Sequence, residues 1–130
     1  MRLLEITALR AHERIIPGRV RMIKADLEKT GKVKTPLWVE KDHLVVLNGH
    51  HRLAALKELG CRLVPAFLLD YAAVEVGVCP GSRIISIDKQ SVIAAGLSQS
   101  LFPPRSSLHI LRLKIPVTAT PLTALRNSGF

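Results

Sequence analysis

The pattern of hydrophobic and polar positions near the start of the chain predicts a strand followed by an amphipathic helix. The short apolar run Leu3–Ala8 is typical of a strand. Apolar side chains then recur three and four residues apart, after a proline that suits the first turn of a helix. Gly31 follows as a C-terminal cap, so the pattern predicts a helix over Pro17–Thr30.

A hairpin, a second helix and another strand are predicted in the middle of the chain. The apolar runs Pro36–Glu40 and His43–Leu47 are separated by two residues, the length of a tight hairpin loop. A helical pattern with clear ends then covers His50–Leu59, between two glycines. Arg62–Leu69 predicts a further strand, in which Pro65 indicates an edge position or a bulge.

Shorter elements are predicted in the second half of the chain. The apolar segments Val74–Val78 and Arg83–Ile87 are typical of strands, and His109–Ile115 of a last strand. An aspartate that suits the N-cap position precedes a helical pattern over Lys89–Ser98. The residues from Pro116 onward, rich in threonine and proline, are typical of a loosely held tail.

These elements predict an α+β (mixed α/β) fold with a small mixed sheet. The chain has 130 residues, of which 48% are hydrophobic, and this is enough for one core without disulfides or metals. We therefore expect a single domain over residues 1–115 and a C-terminal tail over residues 116–130.

The charge of the chain favours an anionic partner. The formal net charge is +9, which suits nucleic acid, a nucleotide or an acidic metabolite. Aromatic residues make up only 4%, fewer than a platform for stacking single-stranded bases requires. No apolar run is long enough to span a bilayer, and a charge follows the N-terminus too early for a signal peptide, so we expect a cytoplasmic protein.

The strongest local signal is the segment Leu47–Arg52, where a strand ends at a glycine and a helix begins. Free N–H groups at a helix start favour an anion, and the Arg52 guanidinium offers donors suited to phosphate oxygens. His50 and His51 add two ring donors. The segment therefore indicates a phosphate-binding turn, and the alternative is a helix with a solvated polar first turn. Adjacent histidines on a helix diverge, so no metal ligands are predicted.

The segment Val46–Leu56 resembles the core motif of the ParB/sulfiredoxin-like superfamily, in which a Gly-x-His-Arg-type turn holds nucleotide phosphates. Further segments are similar to the free L-serine kinases of archaea within this fold. Arg10–Glu13 looks like their Pro-His-Glu element, and the stretch from Gly60 to Tyr71 looks like their Leu-Gly…Leu-Asp-Tyr segment. Phe102–His109 is similar to their Pro-Pro-Lys-Thr-Thr-Arg-His element. The stretch between Tyr71 and Phe102 is much shorter than in those kinases, so the chain looks like a minimal form of them.

The resemblance implies a free L-serine kinase that transfers a phosphoryl group from a nucleotide, ADP or ATP, to the hydroxyl of L-serine with Mg²⁺. Glu13 matches the general base. Asn48 stands where the kinases usually carry aspartate, which removes a carboxylate that could assist magnesium or the reacting hydroxyl. The phosphate-binding turn matches Gly49, His50, His51 and Arg52. The loop that holds the amino acid or its phosphate matches Arg105, Ser106, Ser107 and His109.

Other interpretations compete with the kinase. Glu13 could be a surface glutamate paired with Arg10 or Arg14. The basic charge also suits a ParB-like, nucleotide-dependent DNA-binding, partition or transcriptional regulator, although no helix-turn-helix pattern follows Tyr71. A sulfiredoxin-like reductase would need a cysteine where His50 lies, and a nuclease would need a multi-carboxylate metal site.

Overall fold

The computed structural model describes residues 2–81, 87–115 and 119–126, which form eight strands, four α-helices and one turn of 3₁₀ helix at Ile6–Ala8. The helices are α1 (Pro17–Thr30), α2 (His50–Glu58), α3 (Lys89–Ser98) and α4 (Leu122–Arg126). The strands are β1 (Arg2–Glu5), β2 (Lys32–Val33), β3 (Leu37–Glu40), β4 (Val46–Asn48), β5 (Leu63–Leu69), β6 (Val76–Pro80), β7 (Ser107–Leu111) and β8 (Thr120–Pro121).

The main sheet has four strands in the order β1-β5-β3-β4. Strand β5 runs antiparallel to β1 and parallel to β3, and β3 and β4 form an antiparallel hairpin. Two smaller antiparallel pairs, β2 with β8 and β6 with β7, lie outside this sheet. The mixed α/β class, the hairpin and the three predicted helices are confirmed. The expected two-residue hairpin loop is wrong, because five residues, 41–45, separate β3 from β4.

Two hydrophobic clusters cover opposite faces of the main sheet, because successive side chains of a strand point in opposite directions. One cluster joins Leu37, Val39 and Val46 to apolar side chains of α1, α2 and α4. The other joins Val45 and Leu47 to side chains of β6 and α3. No helix in the described ranges is long and apolar enough to cross a membrane.

The start of the chain and Pro65 differ from the prediction. The first strand ends at Glu5, because Ile6–Ala8 turns into the 3₁₀ helix. Pro65 lies in β5, which is an interior strand with regular pairing to β1, so the expected bulge is wrong and β5 is not an edge strand. Proline is tolerated there because pairing of β5 with β3 begins only at Ala66, and Pro65 has a partner in β1 alone.

In the second half of the chain, the observed bounds of two strands differ from the predicted ones. Strand β6 begins two residues later than expected, at Val76, and β7 covers Ser107–Leu111 instead of a strand starting at His109. Helix α3 has the predicted bounds, and Asp88 forms a capping box with Ser91. Most of the strand expected from Arg83 onward, residues 82–86, lies outside the described residues.

The described part of the C-terminal segment is folded, so the expectation of a loosely held tail is wrong for residues 119–126. Strand β8 pairs with β2, and the Leu122 amide donates to the Gly31 carbonyl across 2.9 Å. Leu122 and Leu125, three residues apart on α4, are 4% and 0% exposed in the main core. Their spacing suits one helical face, but the segment is too short to show a helical period.

Candidate active site

The turn from β4 into α2 depends on a glycine. Gly49 has a φ of 107°, and a Cβ atom there would lie 2.9 Å from the Leu37 Cγ. Helix α2 has no side-chain cap, and its first backbone hydrogen bond runs from the Leu53 amide to the Gly49 carbonyl across 2.8 Å. The amides of His50, His51 and Arg52 come before that first bond, so the start of the helix presents N–H groups that suit an anion.

Replacing Gly49 with alanine should lower the free energy of unfolding by about 1 to 3 kcal/mol, because the left-handed backbone is strained for alanine and its methyl group meets Leu37. Urea unfolding measures the change. Gly18→Ala is the matched control, because its Cβ would only approach the Arg21 side chain, at 3.7 Å. Equal stability of the two variants would contradict this account of the turn.

A cavity of about 280 Å³ opens at the start of α2. Its described lining contains three arginines and a single carboxylate, that of Glu13. The lining residues are Glu13, Arg19, Ile23, Leu47, Asn48, Gly49, His50, His51, Arg52, Arg105 and Ser107. The cavity is therefore strongly cationic around one negative group, and this charge pattern suits a phosphorylated ligand.

Glu13 is buried against the start of β7, so the alternative of a surface ion pair is wrong. The backbone of Arg14 donates to the Phe102 carbonyl, which brings the loop before β7 to Glu13. One Glu13 oxygen accepts the Arg105 amide at 3.1 Å, and the other accepts the Ser107 amide at 3.0 Å and the Ser107 hydroxyl. Only 8% of Glu13 is exposed.

These contacts keep Glu13 ionised. Burial raises the pKa of its carboxyl group, but hydrogen bonds from His12 and Ser107 outweigh burial and lower this pKa to about 2. Near neutral pH the site therefore contains a carboxylate, with its lone pairs directed at fixed donors and at the cavity.

His12 is a site residue that the sequence prediction did not include. Its ring is fully buried, with Nδ1 2.7 Å from the Val46 carbonyl oxygen and Nε2 2.8 Å from the Ser107 hydroxyl. The rings of His50 and His109 pack edge-on against it at centroid distances of 4.7 and 5.8 Å. His12 thus links β4, α2 and β7 beneath the cavity.

His50 and His51 both use Nε2 as an acceptor. The His12 amide donates to His50 Nε2 at 3.1 Å, and the Ile16 amide donates to His51 Nε2 at 3.0 Å. Burial lowers the pKa of His50 to about 3, and burial together with the charge of Arg19 lowers the pKa of His51. Both rings are therefore neutral, and each carries its proton on Nδ1.

The buried histidines should make the protein lose stability in mild acid. Burial lowers the pKa of His50 and His109 to about 3, whereas the ordinary histidine value is 6.5. Between these values the unfolded chain binds more protons than the native one, so stability falls as pH falls, by about 1.4 kcal/mol per pH unit for each histidine. Urea unfolding across this range should show the slope.

The control for this pH dependence is His43, whose side chain is 44% exposed. His50→Gln should reduce the slope, and His43→Gln should leave it nearly unchanged. A flat stability profile in the wild-type protein between pH 6.5 and about 3 would contradict the burial of neutral histidines.

Arg52 and Asn48 line the cavity, but part of the Arg52 guanidinium already forms hydrogen bonds within the protein. Arg52 Nη1 donates to the carbonyl and hydroxyl of Thr35 at 2.8 and 2.7 Å, and Nη2 lies 3.4 Å from Asn48 Oδ1. Arg52 therefore fixes the loop before β3 and orients the Asn48 side chain.

The remaining predicted residues are divided between the cavity and the layer behind it. Arg105 and Ser107 line the cavity, and Arg105 has a φ of 59°, a conformation uncommon for a residue with a side chain. Ser106 is fully buried, and its hydroxyl donates to the Pro103 carbonyl. His109 lies behind His12, with Nε2 2.8 Å from the Tyr71 hydroxyl.

Arg19 is a second cavity residue that the sequence prediction did not include. It lies in the first turn of α1, two residues after Pro17, and lines the cavity. A cation at the start of a helix is unfavourable to the helix dipole, and this was the available signal for a role outside α1. Within the described ranges, no group of three or more histidine, cysteine, aspartate or glutamate side chains could hold a metal ion.

The chain is similar in sequence to a serine kinase and to a ParB-like protein. No protein-family model matches the chain. The chain is 40% identical over 73 residues to an ATP-dependent L-serine kinase of Staphylothermus marinus, a match that covers 53% of the chain and 29% of that protein. It is 38% identical over 80 residues to a ParB-like protein of Sulfolobus acidocaldarius, covering 62% of the chain and 40% of that protein.

The fold is shared with a solved free serine kinase in complex with AMP. The TM-score is 0.87 at 13% sequence identity, over 95% of this chain and 92% of that one. The predicted resemblance to ParB-like proteins and serine kinases is therefore confirmed, and at this identity the structural likeness is one of fold. The sequence matches span less than half the length of the two curated relatives.

Proposed function

We propose that this chain is a nucleotide-dependent L-serine kinase that forms O-phospho-L-serine. The observation that carries the proposal is the cavity at the start of α2, where cations and free helix amides surround one buried, ionised carboxylate. Phosphoryl transfer requires positioning and charge stabilisation more than covalent assistance, and this arrangement supplies both. The name of the Staphylothermus marinus relative supports the same activity.

The donor phosphates would bind at the α2 N-terminus. The amides that follow Gly49 and the Nδ1–H group of His51 would donate to phosphate oxygens, and Arg19 and Arg105 would add charge from the flanking elements. Arg52, with one nitrogen held by Thr35, would act through its charge and by fixing the turn. The name of one relative favours ATP as donor, and ADP would present its phosphates to the same groups.

Glu13 would accept the proton of the attacking hydroxyl. In the transfer, the bond between the terminal phosphorus and its bridging oxygen breaks, the serine oxygen bonds to that phosphorus, and the serine proton moves to Glu13. A carboxylate with a pKa of about 2 is a weak base, but the negative phosphates beside it would raise this pKa. In a loose transition state the proton leaves late, so orientation by Glu13 contributes most.

The loop before β7 would hold the acceptor amino acid. Arg105 and Ser107 line the cavity on the side of Glu13, and the Arg105 guanidinium suits the carboxylate of serine. Ser106 and His109 would act from behind, because Ser106 fixes the loop through Pro103 and His109 supports His12.

The donor set fits a magnesium ion that is held mainly by the nucleotide. Magnesium commonly binds through one or two carboxylates together with substrate phosphates, and Glu13 and the Asn48 side-chain oxygen are the hard oxygen donors near the helix start. When bound with the nucleotide, the ion would neutralise charge that develops on the transferred phosphoryl group. Asn48 contributes no charge, so one carboxylate would serve both the ion and the hydroxyl.

Arg19→Ala should raise the Kd for the nucleotide about tenfold or more, because a hydrogen bond or ion pair to a charged phosphate contributes about 1.5 to 3 kcal/mol. Isothermal titration calorimetry with ADP measures the change. Arg21→Ala is the matched control, since Arg21 lies on the same helix and does not line the cavity. Similar affinities in both variants would remove Arg19 from the phosphate site.

The activity is tested by incubating the protein with L-serine, magnesium and, separately, ADP, ATP and CTP. Phosphorus NMR should show O-phosphoserine with one of these donors. No phosphoserine with any donor would overturn the serine kinase proposal. Product from another hydroxylated amino acid instead of serine would retain the chemistry and change the acceptor.

A nucleotide-dependent DNA-binding regulator is the second candidate. The net charge of +9 and the match to a ParB-like protein favour it. Against it, the described residues after Tyr71 contain only two helices, α3 and the short α4, and strand β7 lies between them, so they form no helix-turn-helix unit. Nucleotide-dependent retention of a DNA duplex at physiological salt, without any phosphoserine, would favour this candidate.

A further inference from the structure

The close contacts between His12, Ser107 and Glu13 require one more proton than their ordinary neutral-pH forms supply. Two short contacts join the three side chains: His12 Nε2 to the Ser107 hydroxyl at 2.8 Å, and that hydroxyl to Glu13 Oε2. The serine hydroxyl has one proton and can satisfy one contact. The other contact would otherwise bring two lone pairs together, so it needs a proton from His12 or Glu13.

The position of the second proton follows from the surrounding contacts. His12 Nδ1 lies 2.7 Å from the Val46 carbonyl, which only accepts, so Nδ1 must carry a proton already. Glu13 receives two backbone amides as well as the serine hydroxyl, and three donors on one carboxyl group favour its ionised form. The extra proton therefore belongs on His12 Nε2.

We infer that His12 is a positioning residue held as an imidazolium, and that its Nε2–H donates to Ser107, which in turn donates to Glu13. This inference concerns the resting protein and goes beyond the proposed kinase reaction. The chain of hydrogen bonds places a fixed positive charge behind Glu13, with His12 Nε2 3.5 Å from Glu13 Oε2. The carboxylate thus has an internal counter-charge, while its other side is available to the cavity.

The groups facing His12 fit this assignment. His50 on α2 offers its Nε2 lone pair to the His12 amide, and burial keeps the pKa of both His50 and His109 low. Two neutral rings and one carboxylate therefore surround His12. A single positive charge in this cluster balances the single negative charge of Glu13, and an isolated buried carboxylate would be far more costly.

Long-range ¹H–¹⁵N NMR of the imidazole rings, recorded near neutral pH without nucleotide, tests the inference independently of any kinase assay. His12, assigned through backbone correlations, should show both ring nitrogens protonated, and His50 and His109 should show neutral rings. A neutral His12 in the wild-type protein would overturn the inference.

A comparison of Glu13→Gln with Glu58→Gln shows whether the positive charge of His12 depends on the negative charge of Glu13. With glutamine at position 13 there is no negative charge to balance, so His12 should become neutral with its proton on Nδ1. Glu58 is on α2 with a half-exposed side chain that pairs with Lys24, and its replacement should leave His12 charged. An imidazolium that persists in Glu13→Gln would also overturn the inference.

Discussion

Replacing Glu13 with glutamine is expected to lower the rate of phosphoserine formation by about 10² to 10⁴-fold, the typical contribution of a positioned base. Glutamine has nearly the same shape and can still accept the Arg105 amide, but it cannot take a proton from the acceptor hydroxyl. The affinity for nucleotide should fall little or rise, because a negative charge is removed from a cationic cavity.

The measurement is the initial rate of phosphoserine formation, combined with calorimetric titration of ADP into the same protein samples. Glu58→Gln is the control, since its exposed carboxylate lies away from the cavity. A Glu13→Gln enzyme that keeps the wild-type rate would remove Glu13 from its role as base. A parallel loss of rate and nucleotide binding would indicate that Glu13 mainly supports the cavity wall.

Replacing Leu125 with alanine is expected to lower the free energy of unfolding by about 2 to 5 kcal/mol, the range for truncating a buried leucine. Leu125 is 0% exposed, and its carbonyl accepts the Arg62 amide at 2.9 Å beside β5. If this segment were held as loosely as its composition indicates, the replacement would hardly change the free energy of unfolding.

Urea unfolding measures the effect of Leu125→Ala, with Thr123→Ala as the matched control. Thr123 lies on the same helix and is exposed, so its replacement should change stability by less than about 0.5 kcal/mol. Similar small changes in both variants would contradict the packing of α4 into the core.

The parts of the fold that sequence predicted best are those with local signals. Helix α1 was predicted with its observed bounds because a proline, an apolar period and a C-terminal glycine all agree within one segment. The start of α2 was predicted because Gly49 separates a strand from a helical pattern. Pro65 and α4 were misjudged because their environment is set by distant partners, namely strand β1 and the core.

The candidate site shows the same division. The residues of the α2 turn are contiguous, and the sequence motif identified them together. His12 and Ser107 are 95 residues apart, so their contact could not be read from spacing. Arg19 carried only the weak signal of a cation in the first turn of a helix. Sequence similarity also grouped His109 with the cavity residues, whereas it lies behind them, beside Tyr71.

The central claim is that nucleotide phosphates bind at the N-terminus of α2, and an amide NMR titration with ADP tests it most directly. The largest shifts should occur at Gly49 and the three residues that follow it, with smaller shifts at Arg105. Adenosine, which lacks phosphates, should leave these amides nearly unchanged. Largest shifts elsewhere, or equal shifts with adenosine, would contradict the claim.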